Sequence, residues 1–276
     1  MRIGITVEPF AGISAGNLIP FAKAIALDHV EINVKSIPDI GKIIDNLGKL
    51  TTTFHMPIYF VEGYGPGTKI PKYQSEVKKV ISFINSNHQE LNMLYTLAHP
   101  PESDEETFEL LIESLQQIET PIILENIPWL EDKDFIEFYF KAKDVLGKQL
   151  AGHAIDGPHR FLTNQEKWLD VPQKLKDEIV YVHLQDTTTK DDDHLPIGQG
   201  VLPYRKFIQF LKSINYKGII NQEIKPKGLD IDAIMDSCLN IAKAISLRKY
   251  LRLKSRYVFV KPILQRKINQ ALKMIK

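Results

Sequence analysis

The chain predicts a (β/α)8 barrel, and three observations carry the prediction. Eight β-rich runs recur along its 276 residues, separated by stretches whose apolar residues follow helical spacing. Strand and helix alternating at this period call for a parallel sheet with helical crossovers. No Gly-, Pro- or Ser-rich linker divides the chain, and eight strand–helix units close most naturally into one barrel of about 250 residues.

In chain order the predicted strands are IGITV (3–7), HVEIN (29–33), LTTTFHM (50–56), MLYTLAH (93–99), PIILEN (121–126), LAGHAID (150–156), IVYVHLQD (179–186) and GIINQEI (218–224). Between them, sets such as Val77, Val80, Ile81, Ile84 and Phe108, Leu111, Ile112, Leu115 repeat at i, i+3, i+4 and i+7, the spacing of a helix with one buried face. Helix starts are expected at Ser103-Asp104-Glu105-Glu106 and at Asp230-Ile231-Asp232, where short polar side chains can cap exposed N–H groups. Two segments exceed a minimal barrel. VEGYGPGTKIPKY (61–73) follows the third strand, and its three glycines and its position make it a candidate lid. The barrel is assigned to 1–250 and a basic C-terminal helical extension to 251–276, where Leu264, Ile268, Leu272 and Ile275 share one helical face with Arg266, Lys267 and Lys273 around it. That extension could pack on the barrel, form a homodimer, or lie on an anionic membrane surface.

Composition narrows the function classes. With 43% hydrophobic and 25% charged residues, the chain is neither disordered, collagen-like nor a disulfide scaffold. The lone Cys238 excludes an intrachain bridge and a multi-cysteine zinc cluster and fits a reducing compartment. No apolar run approaches the roughly 18 residues of a transmembrane segment, and MRIGITVEPFAG does not read as a signal peptide, so the expectation is a cytoplasmic protein. The net charge of +1 hides an asymmetry. Residues 241–276 hold eleven Lys or Arg and no acid, which leaves 24 basic against 34 acidic side chains, a net of −10, on residues 1–240. Such an arm invites an anionic partner.

The chemistry is concentrated at strand ends. Six of the eight strands finish in His55, His99, Glu125, Asp156, His183 and Glu223, at the carboxyl ends where barrel enzymes place catalytic groups. Three carboxylates on one rim repel unless a cation stands between them, and mixed nitrogen and oxygen donors suit one to three divalent ions, zinc or manganese. His159, in Asp156-Gly157-Pro158-His159, can turn back over the rim, and Asp192 and His194 can chelate an ion after the seventh strand, with Asp191 or Asp193 as alternatives to Asp192. Other residues carry less. His153 has the opposite strand parity to Asp156 and is expected to face the helices. Gly198 and Gly200 shape the turn into a helix near Pro203 or present N–H groups to a phosphate. Arg160 lies near enough to reach a substrate anion, and Trp129 forms a pocket wall or caps a helix.

These pieces resemble the xylose-isomerase-like TIM barrels, a superfamily of sugar isomerases and epimerases together with AP endonucleases of the endonuclease IV class. The matching motifs are FHMP (His55), AHP (His99), ILEN (Glu125), IDGPH (Asp156, His159), VHLQD (His183), DDHLPIGQG (Asp192, His194) and NQEI (Glu223). The resemblance implies a metal quartet of Glu125, Asp156, His183 and Glu223. In the epimerase branch, Glu125 and Glu223 also transfer protons through an enediolate, His159 contacts substrate hydroxyls, and Glu31 matches a second-strand glutamate of the sugar-handling members. In the endonuclease branch, His55, His99 and Glu125 hold one zinc, the quartet a second, and His159, Asp192 and His194 a third. The surroundings depart from that branch. EINVKSIPDIGK offers only Lys35 and Lys42 where a DNA-reading loop is expected, Asp193 stands in place of an arginine, and His-Leu-Gln-Asp replaces His-Leu-Asn-Asp. An acidic body is a poor partner for a duplex. The sequence therefore predicts a divalent-metal-dependent isomerase or epimerase acting on a sugar or sugar phosphate. The alternative is a zinc-dependent AP endonuclease that hydrolyses DNA at abasic sites.

Overall fold

The structure, a computed structural model, describes residues 1–10, 13–225 and 230–275, without the side chains of 264 and 267–275. In chain order it comprises β1 (Arg2–Thr6), α1 (Ala15–Ala24), β2 (His29–Ile32), α2 (Ile40–Leu47), β3 (Thr51–His55), α3 (Tyr59–Glu62), α4 (Pro71–Asn87), β4 (Met93–Ala98), α5 (Phe108–Leu115), β5 (Ile122–Glu125), α6 (Asp132–Leu146), β6 (Leu150–Asp156), α7 (Gly157–Asn164), α8 (Gln173–Lys176), β7 (Ile179–His183), α9 (Tyr204–Ser213), β8 (Ile219–Gln222), α10 (Ile231–Ile245) and α11 (Leu247–Ile275). The eight strands follow one another around a closed barrel, with β8 pairing in parallel with β1. All eight predicted strands are present, and β3, β5, β6 and β7 stop on the predicted site residues His55, Glu125, Asp156 and His183. His99 and Glu223 each lie one position past their strand.

The internal contacts define two compact units, Met1–Glu31 with Lys35–Leu50 and His183–Lys276, and Ile32–Val34 with Thr51–Val182. In the first, β1 lies between β2 and β8, in register Gly4↔His29 and Gly4↔Asn221. Helix α1 packs on α2, and α10 packs on α9 and α11. In the second, β3 to β6 pair in sequence order, and α4, α5 and α6 pack side by side. The buried faces there are the ones the spacing predicts, Val77, Val80, Ile81 and Ile84 on α4 and Leu111, Ile112 and Leu115 on α5.

Two expectations change. Ser103-Asp104-Glu105-Glu106 does not begin a helix. The cap of α5 is Thr107, whose hydroxyl accepts the Leu110 N–H at 3.2 Å, while Glu106 is drawn into the turn by the Glu102 N–H at 3.0 Å. The segment 61–73 is tied down and not wholly mobile. Residues 65–68 are buried, Thr68 bridges to Glu106, Tyr64 stacks on Tyr73 at 4.9 Å, and the Glu106 carboxylate lies where a Cβ on Gly65 would stand. Phe60 and Val61 at its start are exposed, as are Gly63, Lys69, Pro71 and Lys72. Helix α11 runs unbroken from Leu247 into the extension assigned to 251–276. Leu253 and Tyr257 are buried, Tyr257 and Lys261 bond to Asp232, and Lys249 pairs with Asp28 at 3.4 Å, so the first half of α11 docks on α10 and α1. The predicted face of Leu264, Ile268, Leu272 and Ile275, with Lys267 and Lys273, lies outside the described side chains.

Candidate metal centre

In the second unit, β3, the turn after β4, β5 and β6 deliver His55, His99, Glu125 and Asp156. One ligand-type atom from each of His55, His99 and Glu125 lies within 4.8 Å of the others, and all three residues are buried. His55 Nδ1 is 2.8 Å from the Met56 carbonyl, an acceptor only, so this nitrogen carries the proton. Its Nε2 is then the nitrogen that faces Glu125 Oε2, 3.5 Å away, and the one that would ligate an ion. His99 lies between two carboxylates, with Nδ1 2.6 Å from Glu102 Oε1 and Nε2 3.1 Å from Glu125 Oε2. Burial alone would lower its pKa, but the hydrogen bonds to Glu102 and Glu125 prevail and raise it to about 10. This pocket demands positive charge, and a divalent ion would meet that demand in place of a proton. The donors are imidazole nitrogens and carboxylate oxygens, which fit zinc or manganese.

Asp156 and His159 complete this half. Asp156 caps α7 by accepting the His159 N–H at 2.6 Å, and the proline after Gly157 suits the first helical turn. The helix start thereby folds His159 back, with Nδ1 2.8 Å from the Asn126 carbonyl and 3.8 Å from Glu125 Oε1. Sequence reasoning missed two positioning residues. Asn126 exchanges hydrogen bonds with the Asp156 backbone at 2.9 and 3.2 Å, clamping the ends of β5 and β6 together. Glu102 orients His99. Asn126 stood in the ILEN motif, but Glu102 carried no local signal.

In the first unit, Glu31, His183, Asp192, His194 and Glu223 group together. Glu31, fully buried on β2, accepts the Thr6 hydroxyl at 3.0 Å and lies 2.9 Å from His183 Nε2. That contact directs His183 Nδ1 toward Glu223, whose Oε2 is 3.9 Å away. His194 Nδ1 lies 2.9 Å from the Glu223 carbonyl and its Nε2 lies 2.9 Å from Asp192 Oδ2. Burial opposes protonation of His194, but Glu223 and Asp192 outweigh it and raise the pKa. After β7 it is Asp192 that lies against His194, whereas Asp193 accepts the Thr188 N–H at 2.9 Å.

Other predicted roles are resolved by contacts. Arg160 is held by protein partners. Its guanidinium is buried and engaged bidentately by Asp132, and its Nε donates to the Trp168 carbonyl at 2.8 Å. In the PIGQG turn Asp186 accepts the Gly198 and Leu202 N–H groups, both at 2.8 Å, so the protein itself occupies these donors. A Cβ on Gly200 would meet Asp186 Oδ1 at 2.5 Å and the Thr187 carbonyl, so the glycine is needed for this close approach. His153 faces α6 as expected, its ring 4.9 Å from Phe135. Trp129 is exposed, and its backbone N–H donates to the Thr163 hydroxyl at 2.8 Å. In the expected DNA-loop region a short 3-10 turn (Val34–Asp39) leads into α2, and Lys35 pairs with Glu8 at 3.1 Å.

Comparison with known proteins agrees with this architecture. Residues 17–242 match the family described as xylose isomerase-like TIM barrel. The uncharacterized protein MJ1614 of Methanocaldococcus jannaschii is 31% identical over 132 residues, 45% of each chain, so the matched stretch spans under half of that relative. Among solved structures, a D-tagatose 3-epimerase-like protein superposes with a TM-score of 0.65 at 21% identity, covering 89% of this chain and 97% of the other. An AP endonuclease, family 2, from Brucella melitensis gives 0.61 at 16% identity, covering 82% and 94%. At such identities these likenesses show the fold alone. With the family match covering most of its length, the chain belongs to the xylose isomerase-like TIM barrels.

Proposed function

We propose that the protein is a divalent-metal-dependent isomerase or epimerase of a sugar or sugar phosphate. The observation that carries this reading is the buried Glu31–His183 pair, 2.9 Å apart and backed by Thr6. A carboxylate that fixes the tautomer and direction of an imidazole is the usual support of a metal ligand, and Glu31 resembles the second-strand glutamate of sugar-handling members. The proposed ligands are Glu125, Asp156, His183 and Glu223, each at or one residue past a strand's carboxyl end, the rim where a parallel barrel gathers its chemistry. A divalent ion there supplies Lewis acidity to the substrate's oxygens. Glu125 and Glu223 are the groups that take a proton from a substrate carbon and return one, the work of a general base and a general acid. His159, held against the Asn126 carbonyl, is placed to bond a substrate hydroxyl. The epimerase-like structural neighbour is in keeping with this reading.

A second reading, phosphodiester hydrolysis at abasic sites, is favoured by one observation, the preassembled His55–His99–Glu125 group. Single-ion proton transfer has no evident use for it. The test is a metal count on the purified protein, followed by a sugar and sugar-phosphate panel in D2O with NMR detection of solvent deuterium at carbon. One tightly held ion per chain and deuterium exchange lost in Glu223→Gln are expected. No exchange on any sugar, with about three zincs and chelator-sensitive nicking of abasic duplex, would replace the first reading with the second.

A further inference from the structure

Helix α11 uses one face to dock and leaves another uncovered. Leu253 and Tyr257 are buried, whereas Leu247, Leu251, Phe259 and Ile263 are 54–81% exposed and, with Ser255, form a row at i+4 spacing. Val258 extends the apolar surface and is 62% exposed. Beside that row runs a second at the same spacing, Arg248, Arg252 and Arg256, all exposed, and Lys254 on the other flank is exposed too. The helix contains nine Lys or Arg and no Asp or Glu.

We propose that this face is a docking surface for an anionic lipid membrane, on which α11 lies parallel to the surface. The pattern is that of an interfacial helix, with apolar side chains entering the acyl boundary and flanking arginines meeting headgroup phosphates. Among the described residues no helix is long and apolar enough to cross a membrane, so the contact is peripheral. Charge selects this occupant over others. Two copies meeting through this face would bring arginine rows together, which is repulsive. A nucleic acid would neutralise the arginines but leave Phe259 and its row in water, with no gain from the apolar surface. A lipid surface satisfies both rows.

The inference is independent of the reaction proposed above, since none of these residues belongs to the metal centre. The test is co-sedimentation of the full-length protein with phosphatidylcholine vesicles, with and without 30% phosphatidylglycerol, alongside light scattering and binding to a labelled DNA duplex. Expected are binding to the anionic vesicles only, loss at high salt, and a drop of about fivefold for each of Arg252→Gln and Arg256→Gln. Leu251→Ser with Phe259→Ser should weaken binding further while metal content and the far-UV spectrum stay as in wild type. These positions are exposed, so folding is not at stake. Equal binding to neutral and anionic vesicles, no binding to either, a dimer that these variants disperse, or duplex binding stronger than vesicle binding would each overturn the proposal.

Discussion

His153 makes the folded protein sensitive to mild acid by an amount that can be worked out. Its ring is fully buried against Phe135 and Tyr139 of α6, and Nδ1 lies 3.0 Å from the Leu124 carbonyl. Burial is the main cause that lowers its pKa from 6.5 to about 4. The unfolded chain therefore takes up a proton near pH 6.5 that the folded chain refuses until about pH 4, and protonation favours unfolding throughout that window. Each pH unit inside the window costs about 1.4 kcal/mol. Lowering the pH from 7 to 5 should remove about 2 kcal/mol of stability through this one residue, or about 4–8 °C in Tm for a protein of this size. His29, also buried and lowered to about 3 mainly by burial, acts in the same direction, so the measurement must be differential. Urea unfolding of wild type and His153→Leu at both pH values isolates the His153 share. The variant loses the bond to Leu124 at both pH values, but its stability should fall by about 2 kcal/mol less than wild type between them. An identical fall in the two proteins would refute the assignment of His153 as a buried neutral imidazole.

Further outcomes follow from single contacts. Glu31→Gln should weaken metal affinity about 10–100-fold in chelator competition, by loosening His183, and an unchanged affinity would remove Glu31 from the centre. Asp132→Ala should cost about 3–5 kcal/mol in urea unfolding, because it leaves the buried Arg160 guanidinium without its partner. A loss under 1 kcal/mol would show that Arg160 is free to turn elsewhere. Gly200→Ala should destabilise by about 1–3 kcal/mol through overpacking against Asp186 and Thr187, and the loop bearing Asp192 and His194 should become more susceptible to proteolysis. Under the second reading, in which the His55–His99–Glu125 group holds its own ion, Glu102→Gln should lower metal affinity there while leaving the melting temperature of metal-free protein within a few degrees, and a stability loss without a change in affinity would make Glu102 purely structural.

Much of the site was legible in the chain because a barrel's chemistry sits at strand ends, and strand ends can be read from where apolar alternation stops. His55, Glu125, Asp156 and His183 terminate their strands for that reason, and the parity that turned His153 outward follows from the two-residue repeat of a strand. The start of α5 was misread because Ser, Asp and Glu signal turns as well as caps, and the choice between them depended on Glu106 bonding back to Glu102. Arg160 shows what local pattern leaves out. Its position beside His159 invited a substrate role, yet its partner, Asp132, lies 28 residues earlier, and nothing in either local pattern points to the other.

From its residues alone, this chain determined the number and order of its strands, the donor types on their ends, and the basic character of its final helix, because each depends on neighbours a few positions apart. Tertiary structure decided which donors meet. Glu31 and His183 are separated by 152 residues, and only closure of the sheet brings β2 and β7 side chains within hydrogen-bonding distance. It also decided which side of α11 is covered, since a helix with apolar residues on two faces can bury only the one that finds a partner.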